Sequence, residues 1–192
     1  MIVFQKIPAY TQSLTQSDVF VYLDKITRQE IDPLTLHPGS LHFSESIVIH
    51  SPLQRAMEAI ADSERHKCIA MDELKEIPFS LASLCTKKEW EREGSLAVRR
   101  RFAQAFIKDR LFLKRSQIRE ETLRIFQRLI LYESASILSH SFRLKIIEGA
   151  IKTRGDLFIY PERIHEFIRP DKKTYEWNEG FQINRKDLRR YP

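Results

Sequence analysis

The chain has 192 residues, of which 42% are hydrophobic and 30% charged, with 32 lysines and arginines against 26 acids for a net charge of +6. That length suits one domain with a sizeable core rather than two ordinary ones. No apolar run approaches the roughly eighteen residues that a bilayer span requires, which excludes a membrane-spanning reading. The opening MIVFQKIPAY lacks the basic start, apolar middle and small-residue cleavage site of a signal peptide, and Cys68 and Cys85 are the only cysteines. A cytoplasmic protein with two unpaired thiols is expected.

Short apolar runs at Ile2 to Phe4, Ser46 to Ile49, Lys67 to Met71 and Ala135 to Leu138, with a further one at Asp156 to Tyr160, alternate with longer segments of helical period. This predicts a three-layer α/β/α fold around a mainly parallel sheet. In VIHSPLQRAMEAI (Val48 to Ile60) a strand gives way to a helix opened by Ser51, Pro52 and Gln54. Leu53, Ala56, Met57 and Ile60 form its apolar face, and Arg55 lies off that stripe near the positive end of the helix. It reads either as a solvated arginine or as one wall of an anion site.

A helical region from Lys87 to Glu133, interrupted near Lys114 to Gln117, carries Ile118, Thr122, Ile125, Phe126, Leu129 and Ile130 as a core stripe. Arg99, Arg100, Arg101, Arg115, Arg124 and Arg128 in this region face few acids along the sequence and read as a solvated basic face. With no nucleic-acid-binding motif and no aromatic stacking platform, nucleic acid is not the expected partner. SASILSHSFRLKIIEGAI then repeats the strand-to-helix corner, with His140 at the strand's carboxyl end. Ligands of open α/β sheets bind outside such ends, where helix N-termini favour phosphate. Two corners carrying Arg55 and His140 therefore predict a phosphate pocket.

Residues 1–160 read as the α/β domain and 161–192 as a C-terminal extension. There Tyr175 and Trp177, then Phe181 and Ile183, alternate as a hairpin covering a sheet edge or a subunit contact, with Gly180 in the left-handed loop position. The five glycines form no phosphate loop and no metal-ligand spacing is present, so neither cofactor nor metal is expected.

Four pieces in order, DPLTLHPG (Asp32 to Gly39), HSPLQRAMEAI (His50 to Ile60), DELKEIPF (Asp72 to Phe79) and LSHSFRLKI (Leu138 to Ile146), resemble the histidine phosphatase, or phosphoglycerate-mutase-like, superfamily. The resemblance implies that fold and a site in which two arginines, two histidines and a carboxylic acid hold a phosphoryl group. One histidine attacks phosphorus while the acid protonates the leaving oxygen. By motif, Arg55 resembles the arginine of the Ser-Pro-Leu-x-Arg helix, His140 the second histidine, and Glu76 the proton donor, with Glu73 as an alternative.

The family's nucleophile lies in an Arg-His-Gly motif at the end of the first strand, where this chain has Gln5 and Lys6 followed by Ile7 and Pro8. Lysine keeps the charge but, with an unperturbed pKa of about 10.4, is no nucleophile at neutral pH. His50, where the family commonly has serine, reads as a capped, partly exposed histidine. The resemblance therefore implies a degenerate, non-catalytic member whose Arg55, His140, Lys6, Gln5 and His50 bind a phosphate-containing small molecule, a phosphoprotein or another protein partner. A homodimer fits the same reading. The alternative is an active phosphatase using His140, His50 or water as nucleophile.

Overall fold

In a computed structural model, residues 1–7, 19–33, 38–169 and 179–188 are described. Five strands form one sheet: β1 (Ile2–Lys6), β2 (Val48–His50), β3 (Cys68–Ala70), β4 (Ala135–Ser139) and β5 (Gly180–Ile183), in the order β3-β2-β4-β1-β5. The first four are mutually parallel, and β5 runs antiparallel to β1. The fold is α/β with a mainly parallel sheet. Strand β4 lies between β2 and β1 with all five residues buried, as its unbroken Ala-Ser-Ile-Leu-Ser run requires of a strand covered on both sides.

Alternation along the strands feeds two cores. Phe4, Ile49 and Ile137 belong to the larger, with Phe102 and Phe106 of α5 (Ser95–Ile107), Ile118 and Ile125 of α6 (Arg115–Leu129), and Ile146 and Ile147 of α7 (Ser141–Thr153). Val48 and Leu138 belong to the smaller, with Ala56 and Ala59 of α2 (Gln54–Ala59). The remaining helices near the site are α1 (Val19–Thr27), α3 (Leu81–Leu84) and α4 (Lys87–Glu93), the last opened by a Thr86/Glu89 capping box. No described helix is long and apolar enough to cross a membrane. Both cysteines are free thiols.

Three sequence expectations change here. Residues 156–158 form a 3-10 turn rather than a strand. Arg154 and Gly155 both have positive φ, and Thr153 Oγ1 accepts from the Leu157 amide, so the chain turns back before it can extend. The basic face is more neutralised than its sequence suggests, because Arg100 pairs with Glu93, Arg101 with Glu89 and Arg124 with Glu73, while Arg99 is buried.

Gly180 is not in a left-handed turn but is the first residue of β5, opposite Gln5. It must be glycine for another reason: a Cβ there would stand 1.6 Å from the Phe4 carbonyl oxygen. The adjoining Phe181 ring stacks on Phe4 with centroids 4.5 Å apart. Tyr175 and Trp177, the first arm of the expected hairpin, lie outside the described residues, as do Pro8 and His37. Residues beyond 160 also supply Ile164, Ile168 and Leu188 to the larger core. Gly180→Ala is expected to lower the unfolding free energy by about 2 kcal/mol, the cost of overpacking against backbone that cannot yield. Urea denaturation checks this, and an unchanged midpoint would refute the close approach.

Candidate functional site

The two strand-to-helix corners meet at the carboxyl ends of β1, β2 and β4. His140 follows β4 directly, with a backbone in the extended region, and the next residue opens α7. Burial alone would raise the cost of charging its ring, and both nitrogens are engaged. Arg55 Nη2 lies 3.1 Å from Nδ1, and Ser51 Oγ lies 2.9 Å from Nε2. A guanidinium only donates, so Nδ1 must accept and the neutral ring carries its proton on Nε2, which donates to Ser51. Desolvation, then the charges of Arg55 and Arg143, hold the His140 pKa well below the ordinary histidine value.

Arg55 is neither solvated nor free. Although it lies off the apolar stripe, it is 6% exposed, and its Nη1 donates to Asp32 Oδ1 at 2.5 Å. The other oxygen of Asp32 accepts from the Gln54 amide at the start of α2. Helix α2 is preceded by Leu53 rather than capped by Ser51, whose hydroxyl instead accepts from His140 and, at 3.4 Å, from the Leu53 amide. A chain of contacts thus runs Asp32, Arg55, His140, Ser51. Ser51 has the company of a hydrolase nucleophile, but its histidine presents a proton and not a lone pair, so the hydroxyl has no base.

Glu76 occupies the second helix terminus. Its Oε1 accepts from the amides of Ile77 at 3.0 Å and Arg143 at 2.9 Å, and Oε2 from Phe142 at 3.2 Å, placing the carboxyl on the first turn of α7. Burial pushes its pKa above the ordinary carboxyl value, against the lowering effect of the three amides and Arg143. The loop carrying it is pinned: Ser139 Oγ donates to the Leu74 carbonyl at 2.7 Å and Arg143 Nε to the Lys75 carbonyl at 2.9 Å. Arg143 is itself buried and paired with Glu121. Glu73 points elsewhere, onto Arg124.

These groups open onto a cleft of about 540 Å³, whose lining includes Lys6, Arg55, Glu76, His140 and Ser141. Gln5, the next residue back along β1, is not part of the lining, and neither is His50. His50 is buried rather than partly exposed, with Nδ1 2.7 Å from the Ser51 carbonyl, so that atom carries the ring proton, and burial lowers its pKa. Four of the six expected residues are therefore gathered. Asp32 and Ser51 were not expected at the site, although both lie within the quoted motif pieces. Among the described residues no three histidine, cysteine or acidic side chains gather to hold a metal ion.

No protein-family description matches the chain, and no curated protein matches it significantly. Among solved structures it is similar to a mutant phosphoserine phosphatase from Entamoeba histolytica in complex with phosphoserine, at 15% sequence identity and a TM-score of 0.44, covering 86% of this chain and 84% of that one. At that identity and score the likeness assigns this chain neither activity nor substrate.

His140 and His50 both have lowered pKa values. The unfolded chain therefore takes up protons that the native state refuses, and the stability they contribute is present above about pH 6.5 and lost as pH falls below it. Glu76, with a raised pKa, acts with the opposite sign: its contribution is present below about pH 4.5 and lost as pH rises through its native value. Unfolding free energy measured from pH 7.5 to 5 is expected to fall less steeply in His140→Gln, by at most about 1.4 kcal/mol per pH unit. Parallel profiles would show that His140 titrates normally.

Proposed function

We propose that this protein is a histidine-phosphatase-like, phosphoglycerate-mutase-like member that binds a phosphate-containing ligand without hydrolysing it. The observation that carries the reading concerns the described residues of the corner: Lys6, a lysine, stands at the end of β1, and both ring nitrogens of His140 are committed to Arg55 and Ser51. Phosphoryl transfer needs a lone pair aimed at phosphorus, and a protonated lysine or a histidine whose only lone pair faces a guanidinium offers none. Binding has what it needs, since Lys6 and Arg55 supply positive charge beside a neutral imidazole.

The raised pKa of buried Glu76 favours the second reading, an active phosphatase with a displaced nucleophile, because upward is the direction a proton donor requires. Release of phosphate from an aryl phosphomonoester between pH 5 and 7 separates the two. The binding reading expects the same background for the wild-type chain and for His140→Ala. Hydrolysis that disappears in the variant would overturn it.

The resident carboxylates make a further expectation. Asp32 occupies Arg55 and the start of α2, as a ligand's phosphate oxygens would. Asp32→Asn is therefore expected to raise affinity for inorganic phosphate about fivefold, the worth of one competing ion pair of about 1 kcal/mol. Phosphorus or amide NMR titration would read the change, and unaltered or weakened binding would remove Arg55 from the phosphate site.

A further inference from the structure

Beyond the charged corner, the cleft has a character of its own. Leu23 and Ile26 of α1, Phe79, Leu81 of α3, Trp90 of α4 and Val98 of α5 line it, with Phe142 at the junction with the corner. A volume of about 540 Å³ is within the range of small-molecule sites and far exceeds the space a lone phosphate needs. One end holds Lys6, Arg55 and Glu76, while the body is mainly apolar and in part aromatic, with Thr27, Ser95 and Arg99 as its polar members.

The aromatic wall is held in place rather than loosely assembled. Phe142 stacks on Phe102 with centroids 4.1 Å apart and planes 7° from parallel. Phe79 meets Phe142 edge-on at 5.6 Å and Phe102 at 5.4 Å. Trp90 is braced by Phe20 at 5.9 Å. Rings fixed by such contacts offer a preformed apolar surface, which favours a rigid, flat occupant that loses little conformational freedom on entry. The same Phe142 donates its backbone amide to Glu76, so the apolar wall and the charged corner share one residue.

We infer that the ligand is a phosphomonoester of an aromatic ring system, with its phosphate toward Lys6 and Arg55 and its rings along Phe79, Trp90 and Phe142. This rests on the proposed phosphate-binding function and adds the chemistry of the organic body. A sugar or polyol phosphate would place hydroxyl groups against Leu23, Ile26, Phe79 and Phe142, where no side chain can pair with them, which disfavours it relative to an aromatic body.

The test uses the full chain titrated with four probes: 1-naphthyl phosphate, glycerol phosphate, inorganic phosphate and 1-naphthalenemethanol. The expected result is at least tenfold tighter binding of naphthyl phosphate than of the other three. Val98→Gln, on the half-buried wall, should abolish that preference, so that naphthyl phosphate and inorganic phosphate bind alike. Because that variant could misfold, nuclear Overhauser contacts between phenylalanine ring protons and the naphthyl group are measured on the wild type as well, and these should be observed. Equal affinity for the three phosphates, or no ring contacts, would overturn the aromatic body and leave phosphate binding standing. Naphthalenemethanol binding as tightly as naphthyl phosphate would overturn the phosphate component of both readings. Hydrolysis lost in His140→Ala would overturn the non-catalytic function alone.

Discussion

The corner depends on one carboxyl group received by the first turn of a helix. Glu76 brings a carboxyl group to the Phe142 and Arg143 amides of α7 and to the Ile77 amide, and these three backbone hydrogen bonds offset part of the cost of burying it. Its loop must then lie against β4 and α7, which Ser139 and Arg143 enforce through the carbonyls of Leu74 and Lys75. Arg143 cannot be spared from this arrangement, since it is buried and balanced by Glu121. The floor of the cleft follows from these constraints.

The opposite corner repeats the device with different residues. Asp32 satisfies an amide at the start of α2 and the Arg55 guanidinium together, and Arg55 in turn dictates the tautomer of His140. The start of α2 and the first turn of α7 thus each already receive a carboxyl group of the chain itself. That makes the site stable without a ligand, and it makes any anion that enters a competitor of the chain's own acids. A neutral, buried histidine between two arginines is the electrostatic result.

Much of this was legible in the sequence because it is local. The parallel strands announced themselves as short apolar runs, and His140 and Arg55 stood at strand-to-helix junctions whose chemistry is set by backbone geometry. What was not legible depends on contacts between distant segments. Nothing near Asp32 says that it meets Arg55, and nothing near Ser51 says that its hydroxyl faces a ring 89 residues later. Leu157 and Phe158 are apolar and buried, which is also true of a strand, so only the positive φ at Arg154 and Gly155 distinguishes the turn they form. Gly180 was recognised as a residue needing glycine, but the need arises from a neighbouring backbone and not from its own torsion angles.

The placement of β1 has a consequence for how the chain is made. Strand β1 is flanked by β4, which begins at Ala135, and by β5, which begins at Gly180. Lys6 and the wall it contributes to the cleft cannot be fixed until both partners have left the ribosome. Until β4 has been made, β1 is unpaired in this sheet, which leaves Ile2 and Phe4 exposed to other chains.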